Sequence, residues 1–104
     1  MNSEKKLKEQ CINTMVEHLP VLRKINNLTQ KGLGEVIGVS RQTITNIESG
    51  RSEMKWSIFL TLMFIFSLDN ESNEYLKRLD FPYEDIKNWL KSKKMWGFVW
   101  NFQL

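Results

Sequence analysis

A chain of 104 residues suits a single domain, 1–104, large enough to bury a core without covalent staples. Its one cysteine, Cys11, excludes a disulfide framework within the chain and a cysteine-based zinc site, and fits a reducing, cytoplasmic setting. The net charge is +3, and all of the excess lies in residues 23–51, where Arg23, Lys24, Lys31, Arg41 and Arg51 face only Glu35 and Glu48.

In chain order, Leu7, Cys11, Met15 and Leu19 recur every four residues and predict a helix over 4–18. Pro20 is expected to interrupt or restart it, giving a second short helix from Pro20 to Asn26, because proline fits a first turn but not a helix interior. Thr29 then caps a helix whose inner face is Leu33, Val36 and Ile37, and Gly38 ends it in a left-handed turn. Ser40 caps the next helix, in which Ile44 and Ile47 point inward and Arg41, Gln42, Thr45 and Asn46 point out. Ser49-Gly50-Arg51-Ser52 reads as a loop.

A strongly apolar helix is expected from Lys55 to Leu68, hydrophobic around much of its circumference and therefore central to the core. It is too short for a membrane span, which needs about 20 apolar residues. Asp69-Asn70-Glu71-Ser72 reads as a polar turn and Glu74–Leu79 as a helix broken by Phe81-Pro82. Pro82 suits the start of a last helix reaching Lys94, with Ile86, Trp89 and Leu90 on one face. The final ten residues contain Trp96, Phe98, Trp100 and Phe102. They suit a strap over the chain's own core, a dimer contact, or a small-effector site.

Residues 28–50 carry the chemistry. A helix fits the major groove of B-DNA, where each base pair displays its own donors and acceptors. Reading them takes bifunctional side chains near the helix start. Arg41 can fork onto guanine, Gln42 and Asn46 onto adenine, and Thr45 can offer a methyl or a hydroxyl. Thr29 and Gln30, at the start of the preceding helix, are placed to hold phosphate, together with Ser40, Thr43 and Arg51. Gly34 faces the reading helix closely, where a side chain larger than alanine would push the pair apart.

The run from Leu22-Arg23 through Leu28-Thr29-Gln30, Leu33 and Gly38-Val39-Ser40-Arg41-Gln42-Thr43-Ile44 to Ile47-Glu48-Ser49-Gly50 resembles the helix-turn-helix family of phage repressors, Cro and similar bacterial regulators. The resemblance covers residues 20–68 and leaves 69–104 as an extension. It implies an all-α, five-helix repressor-like domain with extra helices at both ends and a short aromatic tail. It also implies an ion pair between Arg23 and Glu48, a phosphate contact for Gln30 that steadies Gln42, and base reading by Arg41, Gln42 and Asn46. Gly32 and Gly34 stand where the family prefers a helix former and alanine, so a soft helix is expected, at about 1 kcal/mol for each glycine.

The expected function is a sequence-specific regulator of transcription, a repressor binding double-stranded DNA as a homodimer on paired half-sites. The alternative is an antitoxin-like module that engages a protein partner and regulates its own operon. One histidine, no glycine-rich phosphate loop and no cluster at metal-ligand spacing weigh against an enzyme, a cofactor and a metal. His18, the only histidine, reads as a surface or capping residue.

Overall fold

The computed structural model describes residues 2–93. Six helices follow one another among them: α1 (Asn2–Ile25), α2 (Gln30–Ile37), α3 (Arg41–Ser49), α4 (Trp56–Leu68), α5 (Asn70–Arg78) and α6 (Tyr83–Lys91). The described residues contain no strand, in keeping with an all-α fold.

The first expectation needs correction. Pro20 does not divide the N-terminal segment; α1 runs through it as one 24-residue helix. Proline inside a helix removes one backbone hydrogen bond and costs about 3 kcal/mol. Here it lies between Leu19 and Leu22, both fully buried along with Cys11 and Met15. Each such leucine returns about 1.5–3 kcal/mol, so packing outweighs the lost bond. The helix stops at Asn26-Asn27, where Asn27 turns to φ 56°, a conformation asparagine tolerates.

α1 is the spine. α3, α4, α5 and α6 all pack against it, and α2 packs on α3 and α4. The core joins Cys11, Met15, Leu19 and Leu22 of α1 to Leu33, Ile44, Ile47, Met54, Phe59, Leu62, Phe66, Leu76 and Phe81. Burial pushes the Cys11 thiol up to about 11, as for a small core hydrophobe.

Two inward assignments fail on exposed faces. Val36 is 51 % exposed, so the inner face of α2 is Leu33 with Ile37 at its edge. α4 is not buried all round. Phe59, Leu62 and Phe66 face the core, whereas Leu60, Phe64 and Leu68 stand on the opposite side. An apolar helix at the margin of a small fold has too few neighbours to cover its whole circumference.

The C-terminal helices also differ from the reading. α5 begins at Asn70, capped by Asp69, whose carboxylate accepts from the Ser72 amide at 3.0 Å. The supposed polar turn is thus its first turn. Ser72 is fully buried, and its hydroxyl donates to the Phe66 carbonyl at 2.6 Å, joining the end of α4 to α5. His18 is half-buried rather than free at the surface. Its Nδ1 lies 2.8 Å from the Tyr75 hydroxyl, tying α1 to α5. In α6, Pro82 is the N-cap, and Ile86, Trp89 and Leu90 are half-buried. Trp89 meets Trp56 edge-on at 6.2 Å and donates its indole N–H to Glu4 at 2.8 Å, closing α6 onto the start of α1.

Candidate nucleic-acid interface

α2 and α3 form the most extensive helix pair in the molecule. Thr29 caps α2, its hydroxyl accepting from the Gly32 amide at 2.9 Å. Gly38 ends α2 at φ 84°, where a residue with a side chain would be strained. The Gly38 and Val39 amides both donate to the Gly34 carbonyl, at 2.8 and 2.9 Å, which closes the turn.

Gly34 is more constrained than the sequence suggested. A Cβ there would lie 2.6 Å from the Val39 carbonyl oxygen and 3.3 Å from Ser40 backbone atoms. Even alanine does not fit unless the turn moves. The glycine permits the close approach of turn and helix, so its lower helix propensity accompanies a packing requirement.

Ser40 caps α3, accepting from the Thr43 amide at 3.0 Å and lying 2.9 Å from the Thr43 hydroxyl. Thr29 uses its oxygen as an acceptor and keeps its O–H free to donate. Ser40 and Thr43 share one hydrogen between them and keep the other free. Caps of this kind leave donors at two helix starts, where a phosphate oxygen is favoured.

Glu48 anchors the pair of helices. Its Oε2 accepts from Arg23 Nε at 2.9 Å, and its Oε1 from Arg23 Nη2 at 3.2 Å and from Gln30 Nε2 at 2.9 Å. Arg23 Nη1 also donates to the Leu28 carbonyl at 3.0 Å, holding the α1–α2 loop. The Arg23 and Glu48 side chains are only 12 % and 9 % exposed, so this forked ion pair is largely desolvated. It is the pair that the resemblance implied.

The same network corrects the expectation for Gln30. Its amide does not touch Gln42. Gln30 Oε1 accepts from the Thr45 hydroxyl at 2.8 Å, while its nitrogen serves Glu48. Thr45 is half-buried against α2, with the Arg41 carbonyl 3.1 Å from its hydroxyl. The hydroxyl is therefore committed inside the protein, leaving the methyl as the group for a base. Gln42 bonds along its own helix, donating to Asn46 Oδ1 at 2.9 Å. The two amides thereby brace each other on one face.

Arg41 and Gln42 are exposed at the start of α3, Asn46 is half-exposed one turn on, and Arg51 is exposed in the loop beyond. The structure thus joins Arg23, Gln30, Thr45 and Glu48 in one network, pairs Ser40 with Thr43 and Gln42 with Asn46, and leaves Arg41 and Arg51 standing apart. Trp96, Phe98, Trp100 and Phe102 lie outside the described residues. Thr45 as a buried link was missed, although it falls on the flank of α3 next to the inward Ile44. Among the described residues no group of three or more His, Cys, Asp and Glu could hold a metal ion, and no helix is long and apolar enough to cross a membrane.

Residues 22–53 match the helix-turn-helix family model, which covers α2, α3 and the end of α1. The matched segment, about a third of the chain, is similar to the helix-turn-helix of the Cro and phage-repressor type. No curated protein and no solved structure matches the chain significantly.

Proposed function

We propose that this protein is a sequence-specific regulator of transcription, a repressor that lays α3 in the major groove and binds an inverted repeat as a homodimer. The observation that carries the reading is the outer face of α3. Arg41, Gln42 and Asn46 stand open there, on a helix locked to α2 by the Glu48 network and the Gly34 contact.

In this reading Arg41, Gln42 and Asn46 read base edges and the Thr45 methyl packs on a thymine. Thr29, Gln30, Ser40, Thr43 and Arg51 hold the phosphates. Arg23 and Glu48 position α3 without touching DNA. The whole chain works as one domain, a core over 20–68 with the extension 69–104, and requires no cofactor.

The test is selection of bound duplexes from a random pool at physiological salt, because contacts to phosphate alone weaken steeply as salt rises. A short inverted repeat with one dominant half-site is expected. The double variant Arg41→Ala/Gln42→Ala should lose specific binding, at about 1–3 kcal/mol for each forked contact, while keeping its helical content. Survival of specific binding would remove α3 as the reading face.

The exposed Leu60, Phe64 and Leu68 of α4 favour a second reading, an antitoxin-like module that masks a protein partner and represses its own operon. Selection that enriches no sequence would favour it over the first.

A further inference from the structure

Leu60, Phe64 and Leu68 are 49 %, 64 % and 66 % exposed. They lie four residues apart, so they form one row along α4, headed by Trp56. The row spans about 12 Å from Leu60 to Leu68 at 1.5 Å per residue. α4 is the only one of the six described helices without a charged residue, so no charged side chain of its own interrupts the row.

The chain itself carries a matching segment. Residues 95–104, Met-Trp-Gly-Phe-Val-Trp-Asn-Phe-Gln-Leu, contain four aromatic side chains and no charge. The described structure delivers the chain to the head of the row. Trp89 meets Trp56 edge-on, and one turn later Lys93 lies 5.3 Å from the Trp89 ring centre and 3.4 Å from Glu4. Eleven residues beyond Lys93 reach up to about 36 Å, three times the length of the row. A short tether also holds its segment near the surface at an effective concentration of order millimolar.

We propose that residues 94–104 dock on the Leu60–Phe64–Leu68 row of α4 in the same chain. The segment then completes the coat of α4 that α1, α2 and α5 leave open, and removes an apolar row from water. Aromatic side chains laid on such a row gain about 25 cal/mol for each Å² of apolar surface removed from water.

The test uses the full chain with paired cysteines. Phe64→Cys is combined in turn with Trp96→Cys, Phe98→Cys, Trp100→Cys and Phe102→Cys under mild oxidation at low protein concentration. Cys11 is fully buried and does not compete. At least one pair should close within a single chain at least tenfold faster than the same tail cysteines paired with Lys24→Cys, which is exposed on α1. Links that form only between chains would overturn the proposal in favour of a second copy on the row. Closure no faster than the Lys24→Cys control would overturn it outright. As a second measurement, chymotrypsin should cut after the aromatic residues of 96–102 at least tenfold faster in Leu60→Ser/Phe64→Ser than in the unaltered chain. An unchanged rate would equally overturn it.

Discussion

The α2–α3 pair and the α4–α6 half of this molecule hold their parts by different means. Between α2 and α3 the placement is polar and directional. Three donors from Arg23 and Gln30 converge on one carboxylate, two hydroxyls cap two helices, and a missing Cβ sets how closely the turn approaches. In the C-terminal half the placement is aromatic. Phe59 meets Phe81 at 5.9 Å, and Trp56 stacks on Phe59 at 4.8 Å and meets Trp89 edge-on. Lys8 Nζ sits 5.5 and 5.1 Å from the two indole rings. Directional bonds fix the orientation of a helix about its axis, as reading a groove requires. Aromatic packing fixes position with looser tolerance and suits a scaffold.

Breaking the polar half should therefore cost most at a single residue. Glu48→Ala leaves a desolvated guanidinium and the Gln30 amide without their acceptor, and should lower unfolding free energy by about 3–5 kcal/mol. Denaturant unfolding measures it, and Glu48→Gln, which keeps an acceptor oxygen, should lose less. Gly34→Ala comes next. Its Cβ must displace the Val39 carbonyl, so a loss of about 1–3 kcal/mol is expected despite alanine's better helix propensity. DNA affinity should fall with it, because the turn sets the angle of α3. A variant as stable as the parent would show that the turn yields freely.

Ser40→Ala removes the cap of α3 and should cost about 1 kcal/mol, read as a lower thermal midpoint. The smallest effect belongs to the aromatic half. The Trp89 indole N–H, followed by Lys93 and Lys8, holds the Glu4 carboxyl below its ordinary value. A carboxylate depressed by folding contributes stability that is present above its unfolded pKa and is lost as pH falls through the folded value. The unaltered chain should thus lose slightly more stability than Glu4→Gln as pH drops below about 4.5. Parallel pH profiles of the two would remove Glu4 as the clasp between α1 and α6.

Much of this was legible in the chain. Thr29, Gly38, Ser40 and Gly50 mark the ends of α2 and α3, because caps and left-handed glycines act within a few residues of themselves. The buried row Leu7, Cys11, Met15, Leu19 is equally local, since it needs only the helical period. Arg41 and Gln42 could be placed outward on the same ground.

What failed depended on neighbours far along the chain. Pro20 reads as a break until the burial of Leu19 and Leu22 against other helices is known. The apolar run of α4 reads as a central helix until the helices around it are known, and the side that carries Leu60, Phe64 and Leu68 proves to be uncovered by them. Thr45 and Gln30 find each other across α2 and α3, 15 residues apart, so neither residue type signals the bond. The sequence by itself thus determined the ends and caps of α2 and α3, the buried row of α1 and the polar outer face of α3, all products of short-range sterics and periodicity. Only the tertiary structure decided which apolar residues are covered, which polar side chains are spent on one another, and which remain free to meet a ligand, because burial and pairing belong to the packed assembly of helices.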